Sequence, residues 1–121
     1  MRVAASADLL RGLLQSEFDV VALVEDGRAL LAAVVTLVPD VIVTDIEMPE
    51  IDGLEATREI LRRNPDARVV LVTVHSNPEF VQRGWDVGAL GYVLKLSAGD
   101  ELVPAVQSAL RGERFTSAFG H

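Results

Sequence analysis

Short apolar runs rich in β-branched residues recur along the chain at Val20–Val24, Val41–Val43, Val69–Val72 and Gly91–Leu94, with helix-period segments between them. Strands that read as nearly continuous apolar runs are covered on both faces, which is the habit of parallel sheets flanked by helices. The helical pattern falls roughly on residues 7–17, 27–37, 54–63, 78–87 and 99–111. Leu9, Leu10, Leu13 and Leu14 make the apolar stripe of the first of these, Leu54, Ile60 and Leu61 that of the third, and Leu102, Val106 and Leu110 that of the last. Asn77 before Pro78 suits a helix cap followed by a first-turn proline, and Gly112 suits a helix stop.

Strands alternating with helices, joined by right-handed crossovers, predict an α/β fold. The count suggests a doubly wound, flavodoxin-like sheet of five parallel strands in the order 2-1-3-4-5, with helices on both faces. In that order the first strand is central. Met1–Ala5 is a short or truncated strand, yet its loss would leave backbone groups of both neighbours unpaired in the core, at about 1–3 kcal/mol each. Met1–Ala5 is therefore expected to form the strand, with Ser6 capping the helix that follows. Ligands of such sheets bind at the carboxyl ends of the strands, where the strand order reverses.

A chain of 121 residues, half of them apolar, is one domain with a substantial core. No apolar run approaches the ~20 residues of a membrane span, the N-terminus lacks the apolar core of a signal peptide, and there is no cysteine. A cytoplasmic domain is expected. The net charge of −7 argues against direct nucleic-acid binding by this chain, and Arg58, Arg62 and Arg63 read as a solvated helix face. Residues 1–115 are read as the domain and 116–121 as the start of a linker, with Gly120-His121 suiting a cloning remnant.

The stretch Val41-Ile-Val-Thr-Asp-Ile-Glu-Met-Pro-Glu-Ile-Asp-Gly53 ends a core strand on a carboxylate. A buried charge costs several kcal/mol unless it is paired, on the order of magnitude known for such groups. Thr73 closes the next strand and Lys95 the one after, each one strand–helix–strand step along. An aspartate can accept a phosphoryl group, and a hydroxyl and an ammonium can then hold the phosphoryl oxygens. Magnesium would bridge carboxylate and phosphoryl oxygens.

The segments VEDGRALL, PDVIVTDIEMPEIDGLEATR, ARVVLVT, GALGYVLK and ELVPAVQSALRGERF resemble the response-regulator receiver domain, from about Leu9 to Phe115. The last two resemble the NarL/LuxR subgroup, whose receiver precedes a helix-turn-helix domain. The resemblance implies that Asp45 is the phospho-acceptor, Thr73 the switch hydroxyl, Lys95 the phosphate-contacting lysine and Tyr92 an aromatic rotamer switch. It also implies magnesium ligands in Asp45 and the backbone carbonyl of Glu47, with Met48-Pro49 and Gly53 shaping the loop. The implied partners are a sensor histidine kinase, a DNA-binding domain outside this chain and a second copy in a homodimer. The implied role is transcription control rather than enzymatic turnover.

The chain departs from that family in three places. An acidic pair that anchors magnesium normally ends the first strand, whereas here Met1-Arg-Val-Ala-Ala-Ser-Ala-Asp8 runs almost at once into the helix. Asp8 is expected within or at the start of that helix, Glu25-Asp26 as a turn after the second strand, and magnesium binding as weak. Val74 follows the hydroxyl where a small residue is usual, and Leu96 follows Lys95 where an aspartate is commoner. Two other readings stay open. One is a degenerate receiver that acts as an interaction module. The other is an aspartyl-phosphate hydrolase resembling the haloacid-dehalogenase type, with Glu47 as second acid and Asp100-Glu101 after the lysine. Thr73 and Tyr92 also have a plain core reading, His75 reads as a surface-loop residue and Trp85 as packing.

Overall fold

The computed structural model describes residues 1–6 and 12–117. Among these, six strands form one parallel sheet: β1 (Arg2–Ser6), β2 (Asp19–Val24), β3 (Val41–Asp45), β4 (Val69–Thr73), β5 (Gly91–Leu94) and β6 (Phe115–Thr116). Their order is β2-β1-β3-β4-β5-β6, with every neighbouring pair parallel. The helices are α1 (Gly27–Leu37), α2 (Gly53–Arg63), α3 (Pro78–Asp86) and α4 (Ala98–Leu110), the last entered through a 3-10 turn at Lys95–Ser97. Residues 12–14 are also helical. Asp8, Leu9 and Leu10, expected from the sequence to belong to the first helix, lie outside the described residues.

The short N-terminal segment does form the central strand. Val3, Ala4 and Ala5 stand opposite Val41, Ile42 and Val43 of β3, and β1 pairs with β2 on its other side through a shift of register between Val3 and Ala4. Backbone pairing on both sides satisfies the groups that a missing strand would have orphaned. Ser6 extends the sequence reading. It is the last residue of β1, and its buried hydroxyl oxygen accepts the Asp45 N–H at 2.6 Å; the helix it was expected to cap begins outside the described residues.

Alternation along each strand divides the core into two layers. Val3, Ala5, Val41, Val43, Val70, Val72 and Val93 face Leu14 and the apolar side of α4. Ile42, Val69, Leu71 and Tyr92 face Leu30 of α1 and Leu54, Ala56 and Ile60 of α2. Helix starts follow the capping chemistry. The side chains of Asp26 and Asp52 each accept a backbone N–H three residues on, at 2.8 Å. Asn77 stands at the cap position of α3 without a side-chain bond, leaving Pro78 to fix the first turn. Glu59 pairs with both Arg62 and Arg63 on an exposed face, and the two guanidiniums hold its carboxyl down at about 2.

The sixth strand was not legible in the sequence. It has only two residues, too few to carry a readable period. Phe115 and Ser117 donate their N–H groups to the carbonyls of Leu90 and Tyr92, both at 2.9 Å, which carries the ordered edge of the sheet past residue 115. No helix among the described residues is long and apolar enough to cross a membrane.

Candidate functional site

The register of the sheet steps the strand ends past one another. Asp45 stands opposite Val72, so Thr73 lies one residue beyond it, and Thr73 stands opposite Leu94, so Lys95 lies one residue beyond that. The three residues named from the sequence therefore gather at one carboxyl edge, beside the crossover between β1 and β3.

Asp45 is only 7% exposed, and each of its polar groups is engaged. Its N–H donates to Ser6, one carboxylate oxygen (Oδ1) accepts the Glu47 N–H at 3.1 Å, and the other (Oδ2) lies 2.6 Å from the Lys95 ammonium. This is how a core strand can end on a charge: an opposite charge and a backbone donor replace the lost water. Gly53 keeps the next loop close. A Cβ there would sit 2.1 Å from the Asp45 carbonyl oxygen, while the Gly53 N–H bonds the Ile46 carbonyl at 2.7 Å. Only a residue without a side chain lets α2 begin so near β3.

Thr73 is fully buried, and its hydroxyl oxygen accepts the His75 N–H at 3.1 Å. Tyr92 is fully buried too, and its hydroxyl donates to the His75 carbonyl at 2.7 Å. Burial pushes the Tyr92 phenol up to about 12, against a smaller downward pull from a hydrogen bond with Thr73. Tyr92 thus sits in the core and is also wired to the Thr73 loop.

His75, read from the sequence as a surface-loop residue, does lie in the loop after β4 but is more engaged than that reading implies. Its ring stacks on Phe80 of α3 with centroids 4.1 Å apart and planes 7° apart, and its Nε2 contacts the Glu47 carboxylate. No periodicity could announce a loop residue joined to four neighbours. Beneath it, Met48, Pro49, Leu54, Phe80 and Arg83 help to line an open groove of about 510 Å³ between the loop after β3 and helix α3. Val74 points outward at 62% exposure, and Leu96 is fully exposed.

Among the described residues the donor set for a magnesium ion is incomplete. Magnesium needs oxygen donors in near-octahedral array. Both oxygens of Asp45 already have partners, and the end of β1 offers a hydroxyl committed to the Asp45 N–H. Asp26 caps α1, and among the described residues no group of three acidic or imidazole side chains could hold a metal. Asp8 lies outside the described residues. The acids that a hydrolase would require are engaged elsewhere, Glu47 with His75 and Glu101 with the Ser117 hydroxyl.

Sheet order, strand-end triad and loop together define a receiver fold, and residues 4–107 match the response regulator receiver domain family. The chain belongs to that family, and to its NarL/LuxR type. It is 39% identical over 99 residues to the transcriptional regulatory protein DegU of Brevibacillus brevis, which covers 82% of this chain and 42% of DegU. A two-component response regulator of the LuxR family from Aurantimonas sp. SI85-9A1 superposes with a TM-score of 0.89 at 31% identity, covering 94% of this chain and 87% of that one. The isolated REC domain of RcsB from Salmonella enterica serovar Typhimurium, solved with the phosphomimetic BeF3-, gives 0.86 at 27% identity, covering 97% and 93%. The chain spans less than half the length of DegU.

Tyr92 is the single tyrosine, so phenolate absorbance reads it alone. Its signal should stay absent through the ordinary range near 10 and rise only towards 12. Because the folded value is raised, this residue's contribution to stability is complete below pH 10 and is lost as pH climbs towards 12. A midpoint near 10 in folded protein would contradict the buried phenol.

Proposed function

We propose that Asp45 receives a phosphoryl group from a sensor histidine kinase and that this event controls a DNA-binding domain outside the chain. The observation that carries the reading is the paired carboxylate at the sheet's carboxyl edge, with the Lys95 ammonium 2.6 Å from Oδ2 and Thr73 one residue beyond the neighbouring strand pair. In the transfer, a carboxylate oxygen of Asp45 attacks phosphorus, the new O–P bond forms, and the N–P bond to the kinase imidazole breaks with its electron pair returning to nitrogen. Lys95 then has phosphoryl oxygens to hold as well as carboxylate, and the Thr73 hydroxyl supplies a hydrogen-bond donor.

The added charge alters which arrangement of the Thr73 loop and Tyr92 is favoured, a population shift rather than a turnover. The Thr73 hydroxyl turns to donate its proton to the phosphoryl group, which disturbs the bond its oxygen accepts from the His75 N–H, and the Tyr92–His75 link is redrawn with it. The role so proposed is cytoplasmic and non-enzymatic, in transcription control, with the face formed by α3, β5 and α4 available to a homodimer.

Magnesium generally serves receiver domains at their acidic pocket; for this chain we propose weak binding, on the ground of the incomplete donor set among the described residues. The same donor set favours a second reading, a degenerate receiver that works as an interaction module with little phosphorylation.

Two measurements separate these. Incubation with acetyl phosphate and magnesium should add one phosphoryl mass to the protein and none to Asp45→Asn, whereas equal labelling of the variant would remove Asp45 from the role. A magnesium titration followed by the single tryptophan, Trp85, should give a shallow response without saturation in the millimolar range. A tight, saturable isotherm would mean a ligand outside the residues described.

A further inference from the structure

Residues 114–117 are tied to three elements at once. Arg114 lays its guanidinium 4.7 Å from the centre of the Trp85 ring on α3, and Phe115 and Ser117 make the backbone bonds of β6 to β5. Ser117 is 1% exposed and uses its hydroxyl twice: the oxygen accepts the Leu94 N–H at 3.0 Å, and the proton goes to the Glu101 carboxylate on α4 at 2.5 Å.

Two of the anchors, Leu94 and Tyr92, lead to the Asp45 site. Leu94 immediately precedes Lys95, whose ammonium holds Asp45. Tyr92, whose carbonyl receives the Ser117 N–H, gives its hydroxyl proton to the His75 carbonyl, and the His75 N–H rests on Thr73. Trp85, under Arg114, packs beside Tyr92 with ring centroids 6.4 Å apart. A strand of two residues is too short to persist by its own pairing. Beyond the Phe115–Leu90 bond and the Arg114–Trp85 contact, its attachment rests on Ser117, whose bonds go to Leu94, Tyr92 and Glu101. If Ser117 leaves, the Leu94 N–H loses its partner, so the attachment is closer to two-state than graded.

We infer that residues 114–117 are a strap that holds the departing chain on β5 while Lys95 is paired with Asp45, and lets it go when that pair is redrawn. The physiological trigger rests on the reading of Asp45 as phosphoryl acceptor; the coupling itself is a property of β5. Coupling of this kind is reciprocal, so the strap in turn biases the site.

Residue-resolved amide exchange by NMR tests this, with Ser117 and Phe115 as reporters and Val43 and Val70 as core controls. Ser117→Ala marks the released limit. Phosphorylated protein, its loading verified by mass, should exchange both reporters roughly fivefold faster or more, the worth of about one hydrogen bond, with the controls unmoved. Asp45→Asn, which removes the ion pair without any phosphoryl transfer, should speed them in the same direction. If the mass is gained and the reporters do not move, the strap is overturned while the acceptor reading stands. If no mass is gained, the variant decides: faster reporters in Asp45→Asn support the strap and overturn the acceptor reading, and unchanged reporters overturn both.

Discussion

A carboxylate at the end of a buried strand has to be paired, and the ion pair between Asp45 and Lys95 at 2.6 Å meets that need. The side chains are unequally solvated, 10% exposed for Asp45 and 37% for Lys95. The carboxylate is thus the partner with most to lose if the bridge opens. Lys95 reaches it only because β5 lies two places from β3, with Thr73 on the strand between. The site is therefore a property of strand order before it is a property of any one side chain.

That order depends on β1. A central strand built from Val3, Ala4 and Ala5 is small and fully buried, which lets it pair on both sides with little side-chain volume to place. Its final residue then closes the edge, because the Ser6 hydroxyl takes the Asp45 N–H that would otherwise point at nothing in a buried position. The residue that completes the sheet next to Asp45 is thus a hydroxyl engaged with the backbone. This is also why the described end of β1 offers magnesium so little.

The fold was legible where composition and period agree. The β-branched runs at Val41–Val43 and Val69–Val72 can hardly be other than buried strands, and the helix read at 27–37 coincides with α1. Asp45, Thr73 and Lys95 could be assigned to one edge because each ends a run and each is one crossover from the next. What stayed hidden has no periodic signature: the two residues of β6, the bonding of Ser6 to Asp45, and the place of His75 between Thr73, Tyr92, Glu47 and Phe80. Those contacts arise between loops that meet only after the sheet has formed, so tertiary geometry decides them and local sequence does not.

The pairing of Asp45 with Lys95 is open to direct measurement by a double-mutant cycle in urea, using Asp45→Asn, Lys95→Met and the two together. A pair in contact at a mostly buried edge should show a favourable coupling of about 1 kcal/mol or more. Substitutions whose effects simply add would mean that Lys95 does not hold Asp45 in solution, and the organisation of the edge described here would be wrong.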